Sequence, residues 1–279
     1  MDKKYKIVSD SSGDIHSLGD FPFASAPLKI IAGEREWIDN AELNIEEMVE
    51  YLLKYNGKSG SACPSPADWT EAFEDYENVF CITISSNLSG SYNAACAARD
   101  IYEAEHPDRR VFVIDSLSAG PELTLIVEKI EQLIVAGKTY EEIGAFIPTY
   151  QQQTGLLFML ESLHNFAANG RISPAIAKIV GVLGIRVVGR ASDVGTLEPK
   201  DKCRGEAKSL AAILRHLQDS GLQKGKVCLA HCRNEAAAAK LKERILTALP
   251  DVTVQICENR GLCSFYAEQG GLLVGYERY

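Results

Sequence analysis

Short apolar runs alternate with amphipathic stretches along the whole chain. Val79-Phe80-Cys81-Ile82-Thr83-Ile84 is rich in β-formers and uninterrupted by charge, the pattern of a strand buried on both faces. Tyr5 to Ser9 and Val111 to Asp115 repeat it in shorter form. A helical pattern over Tyr92 to Glu105 follows the run at 79–84, and another helix follows Asp115. Asn44 to Tyr55 is a third helix, with Asn44 as cap and Glu47 at capping-box spacing. Ser65-Pro66 opens a fourth, Ser as cap and Pro in the first turn. Strand followed by helix followed by strand predicts parallel strands joined by crossover helices. Leu28 to Ile38 predicts a hairpin turning near Gly33.

The rhythm changes near residue 154. A helix starting at Thr139-Tyr140-Glu141-Glu142 ends near Gln153, and Leu156 to Leu160 is a continuous apolar run. Gly170-Arg171-Ile172-Ser173-Pro174 combines a helix stop with a helix start. Ile185 to Val188 and Gly195 to Leu197 are expected to pair as strands. Gly205 to Ser220 and Asn234 to Leu249 read as helices. Lys226 to His231, Val252 to Cys257 and Leu272 to Tyr276 complete the strands. The break divides the chain into 1–153 and 154–279.

Composition narrows the function. The chain has 279 residues, enough for two ordinary domains or one large one, with 46% hydrophobic and 24% charged residues, a globular balance. No apolar stretch reaches bilayer length, so no stable membrane insertion is expected. Met1-Asp2-Lys3-Lys4-Tyr5 lacks the apolar core of a signal peptide, which predicts a cytoplasmic location. The net charge of -9 argues against nucleic acid, whose phosphates require clustered Lys and Arg. Of the eight cysteines, Cys81, Cys228 and Cys257 sit in strand-like runs and read as small core hydrophobes. Cys228, His231 and Cys232 resemble half of a metal site, but a second pair is missing, so no metal is expected.

The richest chemistry lies at Ser89-Gly90-Ser91, between the strand at 79–84 and its helix. Such a turn points backbone N–H groups and hydroxyls at one spot, and the helix dipole adds positive potential. Gly90 allows close backbone approach. The spot suits a carboxylate or a phosphate; the competing reading is that Ser89 merely caps the helix. Asp10-Ser11-Ser12-Gly13-Asp14 should lie at the carboxyl edge of the same sheet, either as a ligand loop or as an Asx turn with Asp14 capping a helix. Ser61 precedes the Ser65 cap and could aim at that edge. Arg171 and Arg204, each beside a glycine at a break, offer planar forks for phosphate or serve as surface charges. No catalytic set is expected: there is no Gly-x-Ser-x-Gly elbow and no Walker loop. His164 is a candidate base with nothing to orient it. His16, His106 and His216 sit in polar, solvated settings, and His231 reads as a core histidine.

Together these stretches resemble the DegV family. The resemblance runs from Lys6-Ile7-Val8-Ser9-Asp10-Ser11-Ser12 to the C-terminal glycines. Ile84-Ser85-Ser86-Asn87-Leu88-Ser89-Gly90-Ser91-Tyr92-Asn93-Ala94-Ala95 carries most of it, with Val113-Ile114-Asp115-Ser116, Asn169-Gly170-Arg171-Ile172-Ser173 and Cys203-Arg204-Gly205-Glu206 in matching order. The resemblance implies two α/β domains: a mostly parallel three-layer N-terminal α/β/α sheet and a mixed-sheet C-terminal domain. It implies a long-chain fatty acid with its carboxylate between the domains and its tail in the C-terminal one. It implies no cofactor and a non-enzymatic carrier, which in some members serves a separate fatty acid kinase that makes an acyl-phosphate. The family's head-group Thr falls on Ser61 and its Ser on Ser89, and Arg171 and Arg204 match arginines linked to the phosphorylated product or the kinase. One departure stands out. The family's C-terminal His-x-Gly-Pro-Gly is replaced by Gly261-Leu262-Cys263-Ser264-Phe265-Tyr266-Ala267-Glu268-Gln269-Gly270-Gly271. Tyr266 or Ser264 would have to supply the lost hydrogen bond, and a nearby Glu268 would repel a carboxylate.

The energetics suit that implication. Each buried methylene contributes about 0.8 kcal/mol, so a long tail supplies on the order of 10 kcal/mol gross. Head-group hydrogen bonds add roughly 1–3 kcal/mol each and fix orientation. Expected carboxylate contacts are Ser61, Ser89, Gly90, Ser91 and Tyr266; expected tail contacts are Leu157, Phe158, Ile176, Ile179, Val180 and Leu183. The alternatives are an enzyme or kinase-like subunit acting on a small phosphorylated or carboxylated metabolite, and a regulatory module that docks through Arg171 and Arg204.

Overall fold

The structure, a computed structural model, is described for residues 3–172, 176 and 184–279. Its first sheet has the order β2-β1-β6-β7, all parallel: β1 is Tyr5–Asp10, β2 Phe23–Ala26, β6 Asn78–Thr83 and β7 Arg110–Asp115. Side chains alternate across a strand, so Ile7, Phe80 and Ile82 face one layer while Val8, Val79 and Cys81 face the other. Helices α4 (Pro121–Val135) and α5 (Tyr140–Gln151) cover the first face through Leu123, Ile126, Ile130, Ile143 and Ile147. Helices α2 (Pro66–Phe73) and α3 (Ser91–Glu105) cover the second through Trp69, Phe73, Ala95, Ala98 and Tyr102. Ser65 and Asp68 close a reciprocal capping box at the start of α2, and Asn44 caps α1 (Ile45–Lys54) by accepting from the Glu47 N–H.

The hairpin at 28–38 exists as β3 (Lys29–Ala32) and β4 (Arg35–Ile38), and it gains a third strand. That strand, β5 (Ser59–Ala62), pairs antiparallel with β3 and carries Ser61. Its sequence, Ser-Gly-Ser-Ala, has no apolar signal, and pairing with β3 makes it a strand.

The second sheet is six-stranded and mixed, in the order β10-β9-β8-β13-β11-β12. Here β8 is Thr154–Leu160, β9 Ile185–Ala191, β10 Leu197–Arg204, β11 Gly225–His231, β12 Val252–Glu258 and β13 Leu272–Arg278. Only β11 and β12 are parallel neighbours. Gly195, expected in a strand, belongs instead to the turn between β9 and β10, with φ +74. β10 runs on through Glu198, Lys200 and Asp201 as an edge strand whose charges face water, which hid it from an apolar count. Helices α7 (Glu206–Asp219) and α8 (Glu235–Ala248) pack one face of this sheet. The fold is therefore α/β in two domains, a three-layer parallel sheet followed by a mixed sheet. The start of α4 bears directly on β13: a Cβ on Gly275 would lie 2.6 Å from the Pro121 carbonyl carbon, so only glycine allows this approach.

Candidate functional site

The loops after β6 and β7 sit at the carboxyl edge of the first sheet, where open α/β folds gather their ligands. They face the β8-β9-β10 side of the second sheet across a cavity of about 760 Å³, its open mouth included. Ile84, Leu88, Ser89, Ser118 and Ala119 line it from the first domain. Leu156, Phe158, Leu160, Ala191, Leu197 and Leu273 line it from the second sheet. Further wall comes from β5, from α6 (His164–Ala168) and from α9 (Gly261–Ala267), through Ser61, Phe166 and Tyr266, and from Leu28, Arg171, Gly195 and Thr196.

Part of the cavity wall is polar. Ser61 Oγ and the Tyr266 hydroxyl lie 2.9 Å apart. Tyr266 is held by its ring, 4.8 Å from that of Phe166. Arg171 lines the same cavity, with Nε donating to the Leu88 carbonyl at 3.2 Å and a second bond to the Asn169 carbonyl. Ser89 accepts from the Ser91 N–H at 3.3 Å, a local turn bond that leaves its hydroxyl at the wall. Among the described lining residues, Arg171 is the only one charged at neutral pH. A cation and several hydroxyls in the wall of a mostly greasy channel can hold an amphiphile with a small anionic head.

The family model for DegV, described as "Uncharacterised protein, DegV family", matches residues 4–278. This chain belongs to the DegV family. It is 44% identical to the DegV domain-containing protein spr0652 of Streptococcus pneumoniae over 277 residues, 98% of this chain and 99% of that one. A DegV family protein from Eubacterium eligens, solved loaded with heptadecanoic acid, superposes with a TM-score of 0.96 at 42% identity, over 99% of this chain and 100% of that one. The Streptococcus pneumoniae Fatty Acid Kinase (Fak) B3 protein, solved loaded with linoleic acid, gives the same TM-score at 44% identity, with the same coverage of both chains.

Against this DegV frame the residues expected from sequence separate cleanly. Ser61, Ser89 and Tyr266 all line the cavity, and Ser61 touches Tyr266. Gly90 and Ser91 do not: neither lines the cavity, and the buried Ser91 hydroxyl donates to Asp10 Oδ2 at 2.6 Å. The reason is position. Gly90 is the N-cap of α3, so Ser91 is already the first helical residue and turns inward against the sheet. Asp10 also accepts from the Ile84 N–H at 2.9 Å and from both the N–H and the hydroxyl of Ser12. Burial raises its pKa, and those four bonds oppose the rise. The Asp10–Asp14 segment is thus an Asx turn that pins β1 to the α3 turn. Its capping residue is Asp10, at the N-cap of a 3-10 turn over Ser11–Gly13; Asp14 sits at the other end of that turn.

Leu157 was expected in the tail wall and is not there. It belongs with Met159 to the core under α7 and α8, while Leu156, Phe158 and Leu160 face the cavity. A continuous apolar run conceals the two-residue period, and only the sheet shows which parity faces which layer. Ile176 packs against the same cluster as Phe158 and Leu160. Ile179, Val180 and Leu183 lie outside the described residues. Arg204 is exposed at the end of β10, paired in the sheet with Ile185.

The altered C-terminal element is the short helix α9. Its N-terminus is closed by Asp39, whose carboxylate accepts from the Gly261 and Leu262 N–H groups at 2.8 Å each. Ser264 is buried and donates to the Asn259 carbonyl, so it is not the substitute for the family's His. Glu268 accepts from Ser162 Oγ and the Asn165 N–H, outside the cavity lining. Asp14 accepts from the Arg260 N–H at 2.6 Å, and burial pushes its pKa up to about 8. His16 is half-buried rather than solvated; burial first, then the Arg260 charge, push its pKa down to about 4. His216 hydrogen-bonds Asp201 at 2.6 Å, and His106 meets the Tyr102 ring edge-on. His231 is buried with Nδ1 accepting from the Asn234 N–H, as a core histidine. His164 is exposed and does not line the cavity. Cys228 and Cys257 pack sulfur to sulfur at 3.8 Å. Among the described residues no group of three or more His, Cys, Asp or Glu is arranged to hold a metal, and no helix is long and apolar enough to cross a membrane.

Proposed function

We propose that this chain is a non-enzymatic carrier of a long-chain fatty acid. One observation supports the reading: a mostly apolar cavity between the two sheets carries Ser61, Ser89, Tyr266 and a half-buried Arg171 in its wall, with Ser61 and Tyr266 in hydrogen-bond contact. A carboxylate there accepts from the three hydroxyls, and Tyr266 supplies the bond that the family's His supplies elsewhere. The acyl chain lies along Phe158 and Leu160, with 154–279 taken as the domain that buries it. The heptadecanoic and linoleic acids in the two neighbouring structures support this ligand class. The likeness to the pneumococcal Fatty Acid Kinase (Fak) B3 protein supports a further step, in which a separate kinase phosphorylates the carried acid. Arg171, already at the carboxylate end, is placed to steady the added phosphate, and exposed Arg204 is free to meet the partner.

Organic extraction of freshly purified protein, followed by mass spectrometry, tests the reading. It should yield a long-chain monocarboxylic acid in near-equimolar amount, and re-adding linoleic acid to stripped protein should raise Tm. No acyl mass together with no Tm shift would overturn it.

A further inference from the structure

A second cavity lies behind the first. It is an open cleft of about 1350 Å³, its solvent-filled mouth included, between α4, α5 and strands β8, β9 and β13, and Glu122, Thr154, Arg190 and Arg278 stand among its otherwise mostly apolar walls. Leu156 and Ala191 line both cavities, so the partition between them is one side chain thick at that point. On β8, Leu156 at this partition lies four residues from Leu160, about 13 Å at strand spacing.

The polar groups beyond the partition set the chemistry it can accept. Glu122 and Thr154 are at least nine-tenths buried, and the Thr154 hydroxyl donates to the Glu122 carboxylate at 2.7 Å. Burial lifts the Glu122 pKa to about 7, so near neutrality it both donates and accepts. Arg190 is engaged by Glu198 at 2.7 Å and Asp193 at 3.4 Å, and Arg278 is spent on the Ser220 and Gln152 carbonyls. With both arginines committed, the compartment favours a neutral hydrogen-bonding group over a second anion.

We propose that this cavity is the distal compartment of the ligand site and receives the hydroxylated far end of an acyl chain. The inference rests on the fatty-acid reading above and narrows its substrate class to include chains oxygenated at the end remote from the carboxylate. In a wholly apolar channel a terminal hydroxyl loses its water without replacement, at a cost of about 1–3 kcal/mol. Here the chain passes Leu156 and Ala191, and its hydroxyl bonds the Glu122–Thr154 pair.

The test compares octadecanoic acid with ω-hydroxyoctadecanoic acid on the stripped full-length protein, by competition binding, in the native chain and in Glu122→Leu and Thr154→Val. The ratio of the two dissociation constants is the readout, and plain octadecanoic acid should bind all three alike. A rise in that ratio of about threefold or more, against the hydroxy acid, in either folded variant supports the proposal. A smaller change in both overturns it while the fatty-acid reading stands. Failure of octadecanoic acid to bind the native chain refutes that reading and the proposal with it.

Discussion

One face of the six-stranded sheet is packed shut and the other is left partly open, although both are built from the same kinds of side chain. Leu157 and Met159 point into a core closed by α7 and α8. Leu156, Phe158 and Leu160, interleaved with them on β8, border the cavity. What differs is what lies opposite. Two amphipathic helices fit the first face, whereas loops from the first domain, two short helices and the strand β5 stand off from the second. Adjacent residues of one strand thus serve stability and binding separately. Ser89 and Ser91 repeat the division two residues apart: one hydroxyl borders the cavity, the other ties down Asp10.

The largest effect should come from truncating the closed face. Leu157→Ala removes a fully packed side chain and should cost about 2–5 kcal/mol in denaturant unfolding, with the folded fraction still loading fatty acid. Leu160→Ala, which borders open space, should cost less in the ligand-free protein, near about 2 kcal/mol. It should instead weaken acyl binding by about tenfold. Equal losses of stability and equal losses of affinity in the two variants would erase the distinction between the faces.

The serine pair sharpens the same contrast at smaller scale. Ser91→Ala strips a hydrogen bond from a buried carboxyl and should lower stability by about 1–3 kcal/mol without changing affinity in the folded protein. Ser89→Ala should leave the unfolding midpoint in place and weaken carboxylate binding about fivefold, near 1 kcal/mol. Calorimetry and binding isotherms on both variants separate the two roles, and crossed results would reverse the assignment.

A last contrast concerns Asp14, where the 3-10 turn meets the Arg260 N–H. Its folded pKa, about 8, lies above the unfolded value, so the stability linked to its proton is full below about pH 4 and is lost as pH rises through about 8. Glu122, raised to about 7, acts in the same direction. His16, lowered to about 4, acts oppositely but only between its folded value and about 6.5. Above about pH 6.5 the carboxyls act alone, so Tm should fall between there and about pH 8.5. Asp14→Asn should flatten part of that fall; an unchanged slope would show that Asp14 does not titrate in this range.

Much of this molecule was legible in one dimension. Strong apolar runs bounded by caps predict the parallel sheet and its covering helices, because strand burial and helix capping are local signals. The order of the motifs pointed to DegV, and the hydroxyls at Ser61 and Ser89 were visible as candidates. The parity of β8 was not visible, because five apolar residues in a row carry no phase until a sheet gives them two different neighbours. The place of β5 was not visible either, since pairing with β3 rather than apolarity makes it a strand. Nor was the burial of Ser91, which depends on Asp10 arriving from eighty-one residues away. Sequence alone set the fold class and the chemical alphabet of the site. Tertiary structure decided which letters face the cavity, because facing is a relation between elements distant in the chain, and no single segment contains it.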